Sequence, residues 1–417
     1  MAVRAREEQT RTVMCATLAW RTELAGNLLC MQGANPATLE GRHVVFFNWR
    51  DSQNPEGGGS ERYVEAMARG IVERGARATI FCAAHSHAPA DEVVDGVRYV
   101  RRGDHLAIYL LGALHLLLHR FGKVDLVVDV QNGLPFFTRL ATRAPVVVLV
   151  HHVHREQWPV VFPGLLGRIG WWIERVVAPR VYRKSQYIAV SRATRAELIA
   201  LGVGRERIAV VHNGTAPPPV LDVARSSTPL LCVLGRLVPH KQVEHAIDTI
   251  DALRVRHPEA TLVVVGNGWW EEELRSYVAA VGAGDSVVFT GHVSEQQKHE
   301  ILARSWLMVL PSLKEGWGIV IGEAGSHGVP TVAYSSAGGT RESIADGTSG
   351  LLVDTPEELT ETVRRLVDDN AERERLGKGA REMSHTFSWS HSQDSFVHVL
   401  SDVVQGRRVA VEDPEGP

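Results

Sequence analysis

Glu315 and Glu323 bracket the segment Glu315-Gly-Trp-Gly-Ile-Val-Ile-Gly-Glu323, eight positions apart. Acids at that spacing can grip hydroxyls at two places, and Gly316 and Gly318 between them let backbone N–H groups approach an oxygen-rich ligand. A helix opening here would carry Glu315 at its mouth and Glu323 two turns in, on roughly one face. Upstream, Arg236 and Lys241 stand five apart at a second strand-to-helix turn. Two fixed cations beside helix N-termini make a receptacle for a diphosphate, and would also stabilise a phosphate that leaves with growing charge. Taken singly, each feature has a plain alternative: a loop acid, a helix-face acid, a solvated Arg–Lys pair. Taken together, they suit a ligand with a sugar, a diphosphate and a ribose.

A histidine group adds to this. Val146-Val-Val-Leu-Val150 reads as a buried strand and runs directly into His151-His152-Val153-His154-Arg155. Ligands of doubly wound folds bind at the carboxyl ends of strands, so His151 is a site candidate. Three histidines in four residues could also hold a metal, but no fourth ligand accompanies them. Asp-x-Asp is absent from the chain, which agrees with fixed cations replacing a metal. No metal and no resident cofactor are expected.

The elements that must position these residues alternate. A strand at 43–49 leads through a polar loop to Gly57-Gly58-Gly59-Ser60 and a helix from Glu61, with Ser60 as the expected N-cap. Apolar runs near 78–82, 97–101, 126–129, 146–150, 188–190 and 209–211 follow, separated by helical stretches. Asn213-Gly214, Pro217-Pro218-Pro219 and Ser226-Ser-Thr-Pro229 then mark a turn and a stiff linker. The pattern restarts at Leu230 and repeats through 261–265, 287–290, 307–310, 331–333 and 351–353. This is α/β: two parallel sheets covered by helices. The expected divisions are an N-terminal extension at 1–40, a first domain at 41–215, a linker at 216–228 and a second domain at 229–385. A helix at 386–405 that packs back on the first domain and a tail at 406–417 complete the chain.

The bulk numbers set limits. The 417 residues, 44% hydrophobic and 22% charged, suffice for two cores, and no apolar run is long enough to span a bilayer. Four cysteines without CxxC spacing fit a reducing, cytoplasmic setting. The run from Val13 to Trp20 makes a poor signal peptide. Residues 41–215 hold 23 Lys/Arg against 15 Asp/Glu, whereas 216–417 hold 18 against 29. A first half at +8 and a second at −11 suggest different partners, or halves that attract each other. Residues 164–184 set five cations beside Trp171 and Trp172, with Glu174 the only acid. An anionic or lipid-linked acceptor with peripheral membrane contact would explain both features; a small neutral acceptor, with the tryptophans merely packed, is the alternative.

The ordered set Glu56-Gly-Gly-Gly-Ser-Glu61, His151, Ile188-Ala-Val-Ser191, Val210-Val-His-Asn-Gly214, Leu234-Gly-Arg-Leu-Val-Pro-His-Lys241, Val264-Val-Gly-Asn-Gly268, Val288-Phe-Thr-Gly-His-Val293, Glu315-Gly-Trp-Gly, Glu323-Ala, Gly328-Val-Pro330 and Gly338-Gly-Thr-Arg-Glu342 resembles the family 4 glycosyltransferases of the GT-B fold. The resemblance spans residues ~42 to ~390. It implies two Rossmann-like domains facing each other across a cleft, and retaining transfer of a sugar from a nucleotide diphosphate to an acceptor hydroxyl. Arg236 and Lys241, with Gly235, would hold the diphosphate, and Gly58 and Gly59 would face it from the other domain. Glu323 would bind the ribose; Glu315, with the backbone of Gly316, Trp317 and Gly318, the transferred sugar; the backbone around Val293 the base, with Gly266 also on the donor. His151 would contact the sugar near its reacting end, with His152, His154 and Arg155 on the acceptor side. Tryptophan at 317, where phenylalanine is commoner, and the segment from His151 to Trp158 depart from the family pattern where sugar and acceptor meet. A nicotinamide-dependent oxidoreductase is disfavoured, because Gly57-Gly-Gly-Ser-Glu-Arg lacks the third glycine of its fingerprint. A non-catalytic sugar-nucleotide sensor and a GT-B phosphorylase share the binding residues. No nucleic-acid partner is indicated, and nothing speaks to oligomeric state.

Overall fold

The computed structural model describes residues 39–410 apart from His105. The expected N-terminal extension up to residue 38 and the tail from 411 therefore lie outside the described residues. The first domain holds eight strands: β1 (His43–Phe47), β2 (Arg77–Cys82), β3 (Asp91–Val94), β4 (Val97–Arg101), β5 (Leu126–Gln131), β6 (Val146–Val150), β7 (Gln186–Ala189) and β8 (Ile208–Val210). They form one sheet in the order β3-β4-β2-β1-β5-β6-β7-β8. Every residue of β1, β5 and β6 is buried, as in parallel strands covered on both faces, and β6 accordingly reads as an unbroken apolar run.

The edge strand β3 departs from the all-parallel expectation, since it pairs antiparallel with β4 through Val94↔Val97. Asp95 and Gly96, both at positive φ, form the two-residue turn. Asp-Gly between two valines is a hairpin signal.

The second sheet is wholly parallel. Its strands are β9 (Leu230–Leu234), β10 (Thr261–Val265), β11 (Val287–Gly291), β12 (Leu307–Leu310), β13 (Thr331–Tyr334) and β14 (Gly350–Val353), in the order β11-β10-β9-β12-β13-β14.

The chain crosses between the domains twice, and the crossings run side by side: Thr215 N donates to Phe387 O at 2.6 Å. A Cβ on Gly214 would lie 2.4 Å from the Trp389 backbone, so the two strands of this hinge touch directly. After the second crossing, the helix Trp389–Val404 lies against the first-domain helix Gly59–Glu73. Phe396 stacks on Phe46 with centroids 6.1 Å apart, and Gln393 Nε2 donates to Ala66 O at 2.9 Å. Val409, assigned to the tail, is tied to the first domain, accepting from Gln186 Nε2 at 2.6 Å.

Candidate functional site

Loops leaving the carboxyl ends of the two sheets meet. A Cβ on Gly58, in the loop after β1, would stand 3.4 Å from Nε of Arg236, in the loop after β9. One on Gly59 would stand 3.1 Å from Cδ1 of Ile319, and one on Gly316, after β12, only 2.2 Å from the carbonyl oxygen of His151, after β6. Gly58, Gly59, His151, Arg236, Gly316 and the start of the 319 helix thus share one seam. A side chain at Gly316 would meet the backbone of the other domain, whereas at Gly58 and Gly59 the facing atoms belong to the side chains of Arg236 and Ile319.

The helix Gly59–Glu73 starts two residues earlier than expected, with Gly58 as its N-cap rather than Ser60. Glu61 takes the capping role from inside the helix, its Oε2 accepting from Gly58 N at 2.7 Å. It is fully buried. Burial alone would push its carboxyl up, but Arg50 and then Arg236 hold it below the ordinary range. Arg236 in turn is drawn below its ordinary value by burial and by Arg50, opposed by Glu61, Glu56 and Glu315; as a guanidinium it remains a cation. Arg50, stacked 4.5 Å over the Trp49 ring and bonded to Glu56 at 2.9 Å, is a second guanidinium here, on a segment whose polar sequence marks only a loop.

Lys241 Nζ reaches Glu315 Oε1 at 2.5 Å, both side chains largely buried. His240 beside them is pulled down to about 3 by burial and by Lys241 and Arg236, so it adds no charge. Glu315 is not on the helix: the helix is Ile319–Ser326, capped by Gly318 at φ +85°. The single-face argument for Glu315 and Glu323 therefore fails, because the left-handed cap turns the chain between them. Glu323 sits within the helix and accepts from Lys298 Nζ at 2.6 Å and from Arg62 of the first domain at 3.1 Å. Arg62 also pairs with Glu295. Trp317, whose backbone is the part expected to face the sugar, buries its indole at the hinge, 4.7 Å from the rings of both His212 and Phe387. Gly235 and Gly266 pack backbone to backbone, a Cβ on Gly266 falling 2.0 Å from Gly235 O. Val293, part-exposed, follows the carboxyl end of β11.

On the other wall, burial lowers His151 to about 4, so the ring is neutral at neutral pH. It meets Tyr63 edge-on at 5.4 Å, and its buried Nε2 has no partner among the described residues. Such an orphan costs about 1–3 kcal/mol unless a ligand satisfies it. His152 bonds Gln157 at 3.0 Å, its rings lying 4.2 Å from those of His154, and His154 Nδ1 meets the buried Glu174 at 3.2 Å. Arg155 is exposed. Among the described residues no group of three or more His, Cys, Asp or Glu is placed to hold a metal.

Glu342, quoted in the sequence pattern but given no role, pins the domains together. Its carboxylate accepts from the amides of Arg192 and Ala193, both at 2.9 Å, at the N-terminus of the first-domain helix Arg192–Ala200, and meets His212 Nε2 at 3.2 Å. Burial raises its carboxyl, but the bonds from His212 and the two amides outweigh this and leave it below its ordinary 4.5. A depressed carboxylate stabilises the fold above the unfolded value and loses that contribution as pH falls through the folded one. Glu342→Gln is therefore expected to cost about 1–2 kcal/mol of stability at pH 7. Thermal unfolding across pH should show the deficit shrinking below about pH 4.5; a deficit equally large in acid would remove the charge from this explanation.

Residues 57–217 match the family described as Glycosyltransferase Family 4, and residues 223–383 match Glycosyl transferases group 1. The chain is 27% identical over 400 residues to a D-inositol 3-phosphate glycosyltransferase of Nocardioides sp., covering 81% of this chain and 83% of that protein. Among solved structures it superposes on sucrose-phosphate synthase from Thermosynechococcus elongatus with a TM-score of 0.73 at 18% identity, covering 84% of this chain and 96% of that one. Anabaena Alr3699/HepE in complex with UDP and glucose superposes with a TM-score of 0.68 at 19% identity, covering 87% of this chain and 100% of that one. The two matched segments meet at the linker and span the seam where Gly58, His151, Arg236 and Gly316 converge: the chain is a family 4 glycosyltransferase of the GT-B fold.

Proposed function

We propose that the protein moves a hexosyl group from a UDP- or GDP-linked donor to an acceptor hydroxyl, with retention of anomeric configuration and without a metal. The observation that carries this reading is the closeness of Arg236 to Gly58 across the seam, with Lys241 and Glu315 alongside. Arg236 and Lys241 take the diphosphate, and the amides of the glycine loop face it from the first domain. Glu315, held by Lys241, takes sugar hydroxyls, and Glu323 takes the ribose. The unpartnered Nε2 of neutral His151 suits a sugar hydroxyl near the reacting carbon.

In the reaction the anomeric carbon's bond to the diphosphate oxygen breaks, and a bond to the acceptor oxygen forms on the same face. The acceptor proton passes to the departing phosphate, and the nucleoside diphosphate leaves with its charge met by the two cations. His152, His154 and Arg155 lie on the acceptor side. A phosphorylated or lipid-linked acceptor fits the basic first domain, and the Nocardioides relative is named for D-inositol 3-phosphate.

The test is turnover. A panel of UDP- and GDP-sugars is screened for thermal stabilisation, and the stabilising donor is incubated with phosphorylated polyols in excess chelator. Nucleoside diphosphate release with a product whose anomeric configuration, read by NMR, matches the donor's is expected. Loss of all activity in chelator would overturn the metal-free reading, and inversion would overturn the stereochemical one.

A further inference from the structure

We infer that one face of the first domain docks on an anionic lipid surface. The face consists of the helices that cover one side of the sheet. Ile108 and Leu116 of the helix Ala107–Leu117, and Ala178 and Tyr182 at the end of the 165–182 segment, belong to one buried cluster with Phe47, Phe81 and Phe136. Both segments therefore pack down on the same core, and each leaves another face outside it.

Those outward faces are apolar. On the first helix Leu106, Leu110, Leu114 and Leu117 form a stripe at helical spacing, with Leu110 66% exposed. On the helix Leu165–Trp172, Leu165, Leu166, Ile169 and Trp172 do the same, with Leu166 70% and Trp172 55% exposed. Trp171, by contrast, packs against the core. So much exposed aliphatic surface marks an interaction site.

Charge chooses the occupant. Between residues 106 and 184 the chain carries ten Lys/Arg and four Asp/Glu. Two of those acids, Asp129 and Glu174, are fully buried, whereas Arg168, Arg175, Arg180, Arg183 and Lys184 are exposed. A second copy meeting this face symmetrically would set cations against cations. An anionic bilayer takes both components, apolar side chains entering the headgroup boundary and cations meeting phosphates. The face also connects with the cleft. Glu174, on the short turn Ile173–Val177, accepts from Trp158 Nε1 at 2.6 Å and holds His154 at 3.2 Å. The surface and the acceptor-side histidines therefore share one buried carboxylate. Docking does not depend on the sugar-transfer reading, so either can fail alone.

The experiment is flotation of the full chain with vesicles of phosphatidylcholine, with and without phosphatidylglycerol, at low and raised salt. Binding that needs phosphatidylglycerol and weakens with salt is expected. Arg168→Gln, Arg175→Gln and Arg183→Gln should each weaken it about fivefold, and Leu166→Glu should abolish it. These side chains are exposed, and unchanged melting temperatures check that the variants fold. No flotation at low salt with phosphatidylglycerol, or binding indifferent to these substitutions, would overturn the inference. So would a concentration-dependent dimer in sedimentation velocity that Leu166→Glu dissolves, since that assigns the face to a second copy.

Discussion

Lys241→Ala is expected to raise the barrier to sugar transfer by about 2–4 kcal/mol, roughly thirty- to a thousandfold in kcat, without unfolding the protein. The ammonium and the Arg236 guanidinium both act on His240, which burial and these two cations keep neutral, so it cannot replace the lost charge. Its value to the reaction grows as the bond to phosphate breaks, so the loss belongs in kcat as well as in kcat/KM. One complication is built into the structure. Lys241 is the partner of Glu315 at 2.5 Å, and removing it leaves that carboxylate largely buried and uncompensated. Glu315→Gln alone and in the Lys241→Ala background separates the two effects. If the unpaired acid were the whole damage, the double variant would turn over as fast as Glu315→Gln alone. It is expected to be slower, because the missing charge is the one proposed to face the leaving phosphate. Single-substitution kinetics unchanged at low donor concentration would remove Lys241 from the machinery.

The same ion pair shows what could be read from the sequence and what could not. Strands were legible because parallel strands buried on both faces announce themselves as apolar runs, as in β6 and β12. The carboxyl ends of those strands then located His151, Arg236 and Glu315. The edge strand β3 was missed because Asp91 and Glu92 are polar and Val93 is exposed, so it lacks a buried face; the Asp95-Gly96 turn was the available signal. The helix after Glu315 was placed too early because spacing alone does not show that Gly318 adopts a left-handed cap. Glu61, three residues after Gly58, stood at a capping-box position and could have been found.

The partners of the glutamates could not be found in this way. Arg62 reaches Glu323 from 261 residues away, and Glu342 caps a helix about 150 residues upstream. No local pattern encodes such pairs, since they exist only once the domains have met. The charge asymmetry between the halves is partly spent here, with Arg62 of the basic domain set between Glu295 and Glu323 of the acidic one. The packing of the Trp317 indole was hidden for a related reason: its neighbours in sequence border the seam, while its neighbours in space, His212 and Phe387, belong to the hinge.

Gly316→Ala is expected to lower kcat/KM on the order of 10²-fold, although alanine adds a single methyl group. Gly316 is not among the glycines held at positive φ, so the cost is one of contact rather than backbone strain. The new Cβ would fall 2.2 Å from the carbonyl oxygen of His151 and 3.5 Å from Cγ2 of Val190. That carbonyl also accepts from Thr194 Oγ1 at 3.0 Å and follows directly on β6, all five of whose residues are buried, so it cannot retreat. The 315–318 loop must move instead. It is hemmed in from behind, since a Cβ on Gly339 would already lie 2.2 Å from Gly316 O. The loop therefore shifts as a unit, drawing Glu315 away from Lys241 and the amides of the 319 helix away from Gly59. A displacement near 1 Å at groups that must match a transition state is enough for the predicted loss. Gly284→Ala, at a position with open space around it, is the matched control and should be silent. Steady-state kinetics with small-angle scattering decide the matter: the loss should come with a more open particle, the two domains having parted at the His151 contact. Near-normal kcat/KM in Gly316→Ala would mean that the seam yields freely, and that the close meeting of the two domains is not what assembles the site.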